Sequence, residues 1–529
     1  VIRFDAAMTL AKRHFQRLWF PLPGGGEGVP SRSDHAMSNA DFQRLFPIEF
    51  WRELVDRVRE EVPDTLLIAE AFWLMEGYFV RTLGMHRVYN SAFMNMLKRE
   101  ENAKYRQTIK NILVFDPMIL QRFVNFMSNP DEKPAIEQFG RDDKYFCVAT
   151  MLATMPGLPM FGHGQIEGYT EKYGMEYVEP RWQEEVDQQL VERHRRQIFP
   201  LLRQRALFSG AEEFQLYDFL SNYGVEENVY AYSNRLGSQH LLILCNNSPH
   251  QINGRIGEPA ERSDSKKNHF TQACNINTDG DFIICTDISQ QQQYLLPTES
   301  MQNGGTFELP PYASRVLSHF ETIRDQDGRW QQLWERHGCT GRANLHADYE
   351  TLPLEPTLRL AEQILTFQEP EKNKTKVVQL LKQLYEELDQ SLLANYSTER
   401  LCQLFVRAIF VTEQQLSDSL IKEFLNFIDE QISSRQKSHY NWLDRLFNQQ
   451  EWRKLLRCNY YNETDYYNKE AFGHLLKTFF LTLSIHSHKI GSYDISSLTE
   501  KTFSILIKLL RLIPLSEQTS YQVDIFLHR

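Results

Sequence analysis

The chain has no apolar run near the roughly 20 residues that a membrane-spanning helix needs, so a membrane is not its setting. It has no surplus of positive charge either. Its 58 Lys and Arg are outnumbered by 69 Asp and Glu, for a net charge of −11. That balance argues against nucleic acid or an anionic lipid surface as the main partner. Cysteine is sparse and scattered. Seven occur singly, at 147, 245, 274, 285, 339, 402 and 458, and no two have metal-ligand spacing. Reduced thiols in a cytoplasm are the simplest reading. The triple glycine Gly24-Gly25-Gly26 lacks the Lys-Ser/Thr of a phosphate loop. His486 and His488 form a lone His-x-His pair with no further ligand spacing nearby. No metal or cofactor is expected.

What is present is a hydrophobic fraction of 42% and a charged fraction of 24%, ordinary for a folded protein. The 529 residues allow about three domains. Up to residue 209, apolar strand-like runs alternate with helix-length segments. Residues 210–321 hold alternating strands such as Val229–Ser233 and Leu241–Cys245. Asn-Gly, Asp-Gly and Gly-Gly pairs at 253, 279 and 304 read as turns, and Phe307–Ser318 as a closing edge strand. This predicts a small antiparallel β-sandwich. From 322 to 529, Leu and Ile recur at helical spacing, as in Val377, Leu381, Leu384 and Leu388, or Ile505 to Leu510. That region reads as all-helical and is the place for a protein partner.

Three runs in the first region carry chemistry. Val1-Ile2-Arg3-Phe4-Asp5-Ala6 reads as a buried strand delivering Arg3 and Asp5 to one side, since residues two apart share a face. A guanidinium beside a carboxylate favours its ionised form. Thr65–Phe72 is an apolar run, as in a strand covered on both faces, and ends on Glu70. A carboxyl partly removed from water is biased toward its protonated form, which suits a general acid. Phe123–Asp131 is a third apolar run, closing on Asn129 and Asp131.

In this order the three segments resemble the short conserved regions of the α-amylase superfamily of retaining glycoside hydrolases and transglycosylases. The form Gly-x-Arg-x-Asp-Ala is matched by Val1-Ile2-Arg3-Phe4-Asp5-Ala6. The strand ending in the acid/base glutamate is matched at Glu70. The form Phe-x-x-Asn-His-Asp is matched by Phe126-Met127-Ser128-Asn129-Pro130-Asp131. The resemblance implies that Asp5 is the nucleophile, Glu70 the acid/base and Asp131 the carboxylate that holds sugar hydroxyls. Arg3, Asn129, Tyr89 and His163 would line the substrate site. His163 lies in Phe161–Gly168, a loop similar to one at the family's site rim. The substrate implied is an α-glucan or maltooligosaccharide, hydrolysed or transferred by double displacement.

The resemblance has departures. The usual glycine is Val1, and the histidine of the last region is Pro130. A proline there, with Ala69–Phe72 and Leu83–Tyr89, is similar to bacterial maltosyltransferases. A maltosyltransferase or other glucan transglycosylase is therefore one alternative. A non-catalytic glucan-binding scaffold is the other.

The implied fold is α/β, the C-terminal part of a (β/α)₈ TIM barrel over 1–209, followed by the β-sandwich (210–321) and the all-α region (322–529). The barrel strands fall at 1–5, 65–71, 86–93, 123–129 and 157–162, the family's fourth to eighth. Its last helix spans Trp182–Phe208. Strands one to three have no counterpart, so the chain reads as a piece of a longer protein. Such a half-barrel is expected to expose Ile2, Phe4, Ile68 and Phe126 and to be inactive alone. Residues 20–40 read as a long loop on the catalytic face. Trp19, Phe20, Trp73 and Tyr89 could stack on sugar rings or pack in the core.

Overall fold

The computed structural model describes residues 1–25, 30–71, 75–172, 178–366, 372–388, 396–410, 447, 450–461, 464–490, 502, 506, 512 and 521–522. The chain divides into two compact units, Val1–Ala343 and Asn344–Arg529.

The first unit opens with five short parallel strands: β1 (Ile2–Phe4), β2 (Leu67–Ala69), β3 (Arg87–Tyr89), β4 (Phe123–Phe126) and β5 (Leu158–Met160). They neighbour one another in chain order. Parallel neighbours need crossovers, and helices supply most of them. The helix Phe50–Glu61 follows β1 and buries Trp51 and Val55 against Leu67, Ala69 and Val88. Ser91–Lys98 and Asn102–Phe115 separate β3 from β4. Asp143–Thr154 separates β4 from β5 and is buried from Tyr145 to Thr154. Its apolar character on every side follows from that enclosure. β2 is buried at each position, which accounts for its unbroken apolar run.

The strands sit where the sequence places them but are only three or four residues long. The half-exposed core expected of the sheet is largely absent. Phe126 and Ile68 are buried, Phe126 packing its ring 5.1 Å from Tyr89. Phe4 packs on Trp51 at 4.9 Å, and Ile2 alone of the four stays exposed. The single helix expected over Trp182–Phe208 is instead three, Gln188–Gln197, Phe199–Arg203 and Arg205–Ser209. Pro200 explains part of this, because it tolerates a first turn but not a helix interior.

The rest of this unit is one antiparallel sheet of nine strands, rather than two separate ones. They are β6 (Gln215–Ser221), β7 (Gly224–Val225), β8 (Val229–Leu236), β9 (Gln239–Asn246), β10 (Ile252–Pro259), β11 (Phe282–Asp287), β12 (Gln292–Pro297), β13 (Phe307–Leu309) and β14 (Ser314–Ile323). The order is β12-β11-β14-β9-β8-β6-β10-β13, with β7 beside β6. Two expectations fail here. Asn253-Gly254 lies inside β10 and is no turn. A Cβ on Gly254 would come within 2.4 Å of the Leu220 carbonyl oxygen, so the glycine serves a close backbone approach. Phe307–Ser318 is two strands broken at Pro310-Pro311. β13 is at the edge, but β14 is interior, paired to β9 and β11. Arg106, wholly buried on Asn102–Phe115, reaches Asp218, Glu227 and the Val229 carbonyl, so the helix layer is ion-paired to this sheet.

The second unit is mainly helical: Leu345–Thr351, Glu355–Leu365, Lys374–Glu387, Thr398–Phe410, Gln450–Leu455 and Lys469–Ile490. Val377, Leu381 and Leu384 are buried at the expected spacing. A hairpin of β15 (Asn459–Tyr461) and β16 (Thr464–Tyr466) departs from an all-α reading. Most of the Ile505–Leu510 run lies outside the described residues, as do the side chains of His486 and His488. Among the described residues no helix is long and apolar enough to cross a membrane.

Candidate active site

The site lies at the C-terminal ends of β1, β2 and β4. β1 and β2 pair with Arg3 opposite Ile68 and Phe4 opposite Ala69. The next residue after each strand is Asp5 on β1 and Glu70 on β2. Glu70 still donates its N–H to the Phe4 carbonyl at 3.0 Å, which fixes its place beside Asp5. Asp131 comes five residues after β4. Its turn is held by Asn129, whose Oδ1 accepts from the N–H groups of Asp131 and Glu132, both at 2.9 Å.

One carboxylate oxygen from each of Asp5, Glu70 and Asp131 lies within 4.8 Å of the others. Arg3 sits among them. Its Nη1 is 2.9 Å from Asp5, and its Nη2 is 3.2 Å from Glu70 and 3.8 Å from Asp131. Its Nε–H donates to the Tyr89 hydroxyl at 2.7 Å, and that hydroxyl donates to the Met160 sulfur at 3.4 Å. Thus β1, β3 and β5 together set the guanidinium's position. Three carboxylates at this separation are also a donor set for a cation. A divalent ion would have to displace Arg3, which already supplies positive charge at 2.9 and 3.2 Å.

The carboxyls differ in exposure. The Glu70 side chain is 4% exposed, against 47% for Asp5 and 58% for Asp131. Burial, with a hydrogen bond to Asp5, raises the Glu70 pKa from 4.5 to about 7, although the Ala6 N–H and Arg3 pull it down. A carboxyl that titrates near neutrality can give a proton and take it back. Asp5 is about half exposed to solvent while its carboxylate pairs with Arg3.

Ala6 is a site residue that the sequence reading missed. It adopts a left-handed conformation (φ 42°, ψ 38°) as the chain enters a 3₁₀ turn, Ala7–Leu10. This costs a non-glycine residue about 1–2 kcal/mol. It lets the Ala6 N–H donate to Glu70 Oε2 at 3.0 Å. The Asp5-Ala6 dipeptide carries no glycine or asparagine to flag such a turn.

The remaining sequence candidates take other places. Tyr89 is buried and packs on Phe126, so its ring is no sugar platform. Asn129 is buried and spends its side-chain oxygen on the turn. His163 is exposed in the loop after β5, its ring 6.1 Å from Tyr169. Trp19 is half exposed, and Trp73 lies outside the described residues. The 20–40 loop contains a helical turn, Pro30–Ser33, and the start of the helix Asn39–Leu45.

No family model matches the chain. No curated protein matches it. Among solved structures it is similar to enzymes of the α-amylase family. One is an α-amylase from H. orenii, with 16% identity, a TM-score of 0.38, and coverage of 54% of this chain and 59% of that one. Another is the gamma-CGTase from alkalophilic Bacillus clarkii, with 14% identity, a TM-score of 0.36, and coverage of 51% and 38%. A third is the debranching enzyme of Nostoc punctiforme, soaked with acarbose, with 15% identity, a TM-score of 0.36, and coverage of 57% and 69%. The chain thus spans less than two thirds of the first two. Overlaps of this size leave the chemistry to be argued from the site.

Proposed function

We propose that this chain carries the catalytic centre of a retaining enzyme that hydrolyses or transfers α-glucosidic bonds. Its parallel sheet would be the last five strands of a (β/α)₈ barrel. The observation that carries the reading is the close trio of Asp5, Glu70 and Asp131 around one guanidinium. Retaining glycosidases hold their two working carboxyl groups about 5–5.5 Å apart, whereas inverting ones leave about 6.5–9.5 Å for a water. Asp5 and Glu70 approach closely enough to share a hydrogen bond, which leaves no room for an intervening water and supports the retaining arrangement.

In this mechanism Glu70, protonated, gives its proton to the departing glycosidic oxygen. Asp5 attacks the anomeric carbon, and the glycosyl-enzyme forms as the leaving group departs. Glu70, now a carboxylate, takes a proton from the incoming water or sugar hydroxyl, which displaces Asp5. Arg3 holds Asp5 in place, and Asp131 receives sugar hydroxyls. An α-glucan or maltooligosaccharide is the substrate in this reading, and the helical unit is free to take a protein partner.

The test is proton NMR of the anomeric product from an activated α-glucosyl donor. Retention of configuration, with a covalent adduct on the peptide that contains Asp5, is the expected result. Inversion, or labelling elsewhere, refutes the reading.

A further inference from the structure

The opposite, N-terminal ends of β3, β4 and β5 hold a second cluster of charge that the proposed reaction does not use. Arg87 is the first residue of β3, Arg122 immediately precedes β4, and Arg205 reaches the turn that leads into β5. Arg122 donates to the carbonyls of His86 (2.8 Å) and Met85 (2.5 Å), and Arg87 donates to the same His86 carbonyl (3.1 Å). Two guanidiniums therefore converge on one oxygen. Arg205 donates to the carbonyls of Ala153 (2.9 Å), Met155 (2.8 Å) and Gly157, and it lies close enough to Arg87 to feel its charge.

Among the described residues no carboxylate forms an ion pair with Arg87, Arg122 or Arg205. This is unusual in a chain with more acids than bases. Burial works against all three charges, pushing Arg87 and Arg122 below the ordinary guanidinium range and Arg205 to about 10. His86, beside them, is pushed down by burial and then by Arg122 and Arg87. Yet all three arginines remain cationic at neutral pH. Carbonyl oxygens fill some of their donors but bring no net charge. A guanidinium has five N–H donors, and Arg87 gives one to a carbonyl. Its buried Nε–H, like that of Arg205, has no acceptor among the described residues. Arg87 and Arg122 are half-buried, so part of each guanidinium faces solvent.

We propose that Arg87, Arg122 and Arg205 form an anion site at the N-terminal ends of β3–β5, and that its occupant is a phosphate group. A carboxylate brings one negative charge and two oxygens in a plane. Phosphate brings up to two charges and tetrahedral oxygens, which match guanidinium donors arriving from the starts of β3 and β4 and from the helix Arg205–Ser209. The source is either free inorganic phosphate or a phosphate ester such as a sugar phosphate. The site stands apart from the carboxylate centre and does not depend on the chemistry proposed there.

The test uses the 529-residue chain. Phenylglyoxal modification, mapped by peptide mass spectrometry, is followed with inorganic phosphate and with potassium chloride at equal ionic strength. Phosphate, but not chloride, should slow modification of Arg87 and Arg122 and leave exposed Arg44 and Arg57 unchanged. Equal rates at Arg87 with and without phosphate, or equal protection at Arg44, overturn the proposal. Calorimetric titration with phosphate should show Arg87→Gln about tenfold weaker and Arg87→Lys within about threefold, since lysine keeps the charge but not the fork. Parental affinity in a folded Arg87→Gln overturns the proposal. If that variant fails to fold, the footprint on the parent and the Arg87→Lys titration decide. Glucose 1-phosphate binding more tightly than inorganic phosphate supports the site with an ester as its source. The reverse supports it with free phosphate.

Discussion

The two ends of the parallel sheet use the same side chain in opposite ways. At the C-terminal end, Arg3 is surrounded by Asp5, Glu70 and Asp131. Burial alone would lower its pKa, but Tyr89, Glu70 and Asp5 outweigh burial and raise it. At the N-terminal ends, Arg87, Arg122 and Arg205 hydrogen-bond to carbonyls and, among the described residues, pair with no carboxylate; Tyr232 raises Arg205 somewhat, but burial wins for all three. Among the described residues, one end has anions in excess of its cation, and the other has cations paired with no carboxylate. Local charge balance, rather than residue type, sets what each end can do. Burial, with Asp5 beside it, keeps a proton on Glu70 near neutrality, whereas an excess of guanidinium attracts an oxyanion.

The comparison breaks most visibly at Asp5. Replacing Asp5 by Asn keeps the shape but removes both the proposed nucleophile and the closest counter-charge of Arg3. Turnover of an activated α-glucoside should fall at least about 10³-fold, with the fold retained by circular dichroism. Near-parental turnover would move the centre elsewhere. The arginines at the other end should be indifferent to this change, so phosphate protection of Arg87 should persist in Asp5→Asn.

The next largest effect is the pH dependence carried by Glu70. Its folded pKa is about 7, against an ordinary value of 4.5. A raised carboxyl pKa means that the folded state binds the proton more tightly than the unfolded chain does. This contribution to stability is therefore fully present below about pH 4.5 and is lost as pH rises through about 7. Over that window the loss is about 3 kcal/mol at 1.36 kcal/mol per pKa unit. Glu70→Gln should flatten the urea midpoint between pH 5 and pH 8, relative to the parent. An unchanged pH profile would show that another group is responsible. Glu70→Gln should also spare substrates with activated leaving groups more than ordinary glucans, since the former need little acid assistance.

What could be read in advance, and what could not, follows the same divide. Asp5 and Glu70 were legible because each follows a short apolar run, so local pattern sets it at a strand end; Asp131, in the turn five residues after β4, was placed by its resemblance to the family's last region. The strands at 1–5, 65–71 and 123–129 were legible for the same reason, and those at 86–93 and 157–162 followed from the resemblance. The arginine cluster was not, because residues 87, 122 and 205 are far apart in sequence and only parallel pairing joins them. Ala6 was illegible because its left-handed conformation follows from the Glu70 carboxylate it faces rather than from its own propensity. Asn253-Gly254 was misread because a glycine required for close approach to Leu220 looks, in sequence, like one required for a turn. The 182–208 segment was misread because its polar periodicity outweighed Pro200.

The smallest effect tests how firmly Arg3 is held. Tyr89→Phe removes one hydroxyl and nothing else from a buried position. It takes the acceptor from Arg3 Nε at 2.7 Å and the donor from the Met160 sulfur at 3.4 Å. The sulfur is a weak acceptor and loses little. The guanidinium keeps its carboxylates, so its charge remains compensated, but one buried N–H is left without a partner. That should lower stability by about 1–2 kcal/mol, read as a reduced urea midpoint. The carboxylates and the Ala6 N–H stay in place, so the Glu70 inflection should remain near pH 7. A shift of that inflection by a full unit would mean that Tyr89, rather than burial, sets the charge balance at this end of the sheet.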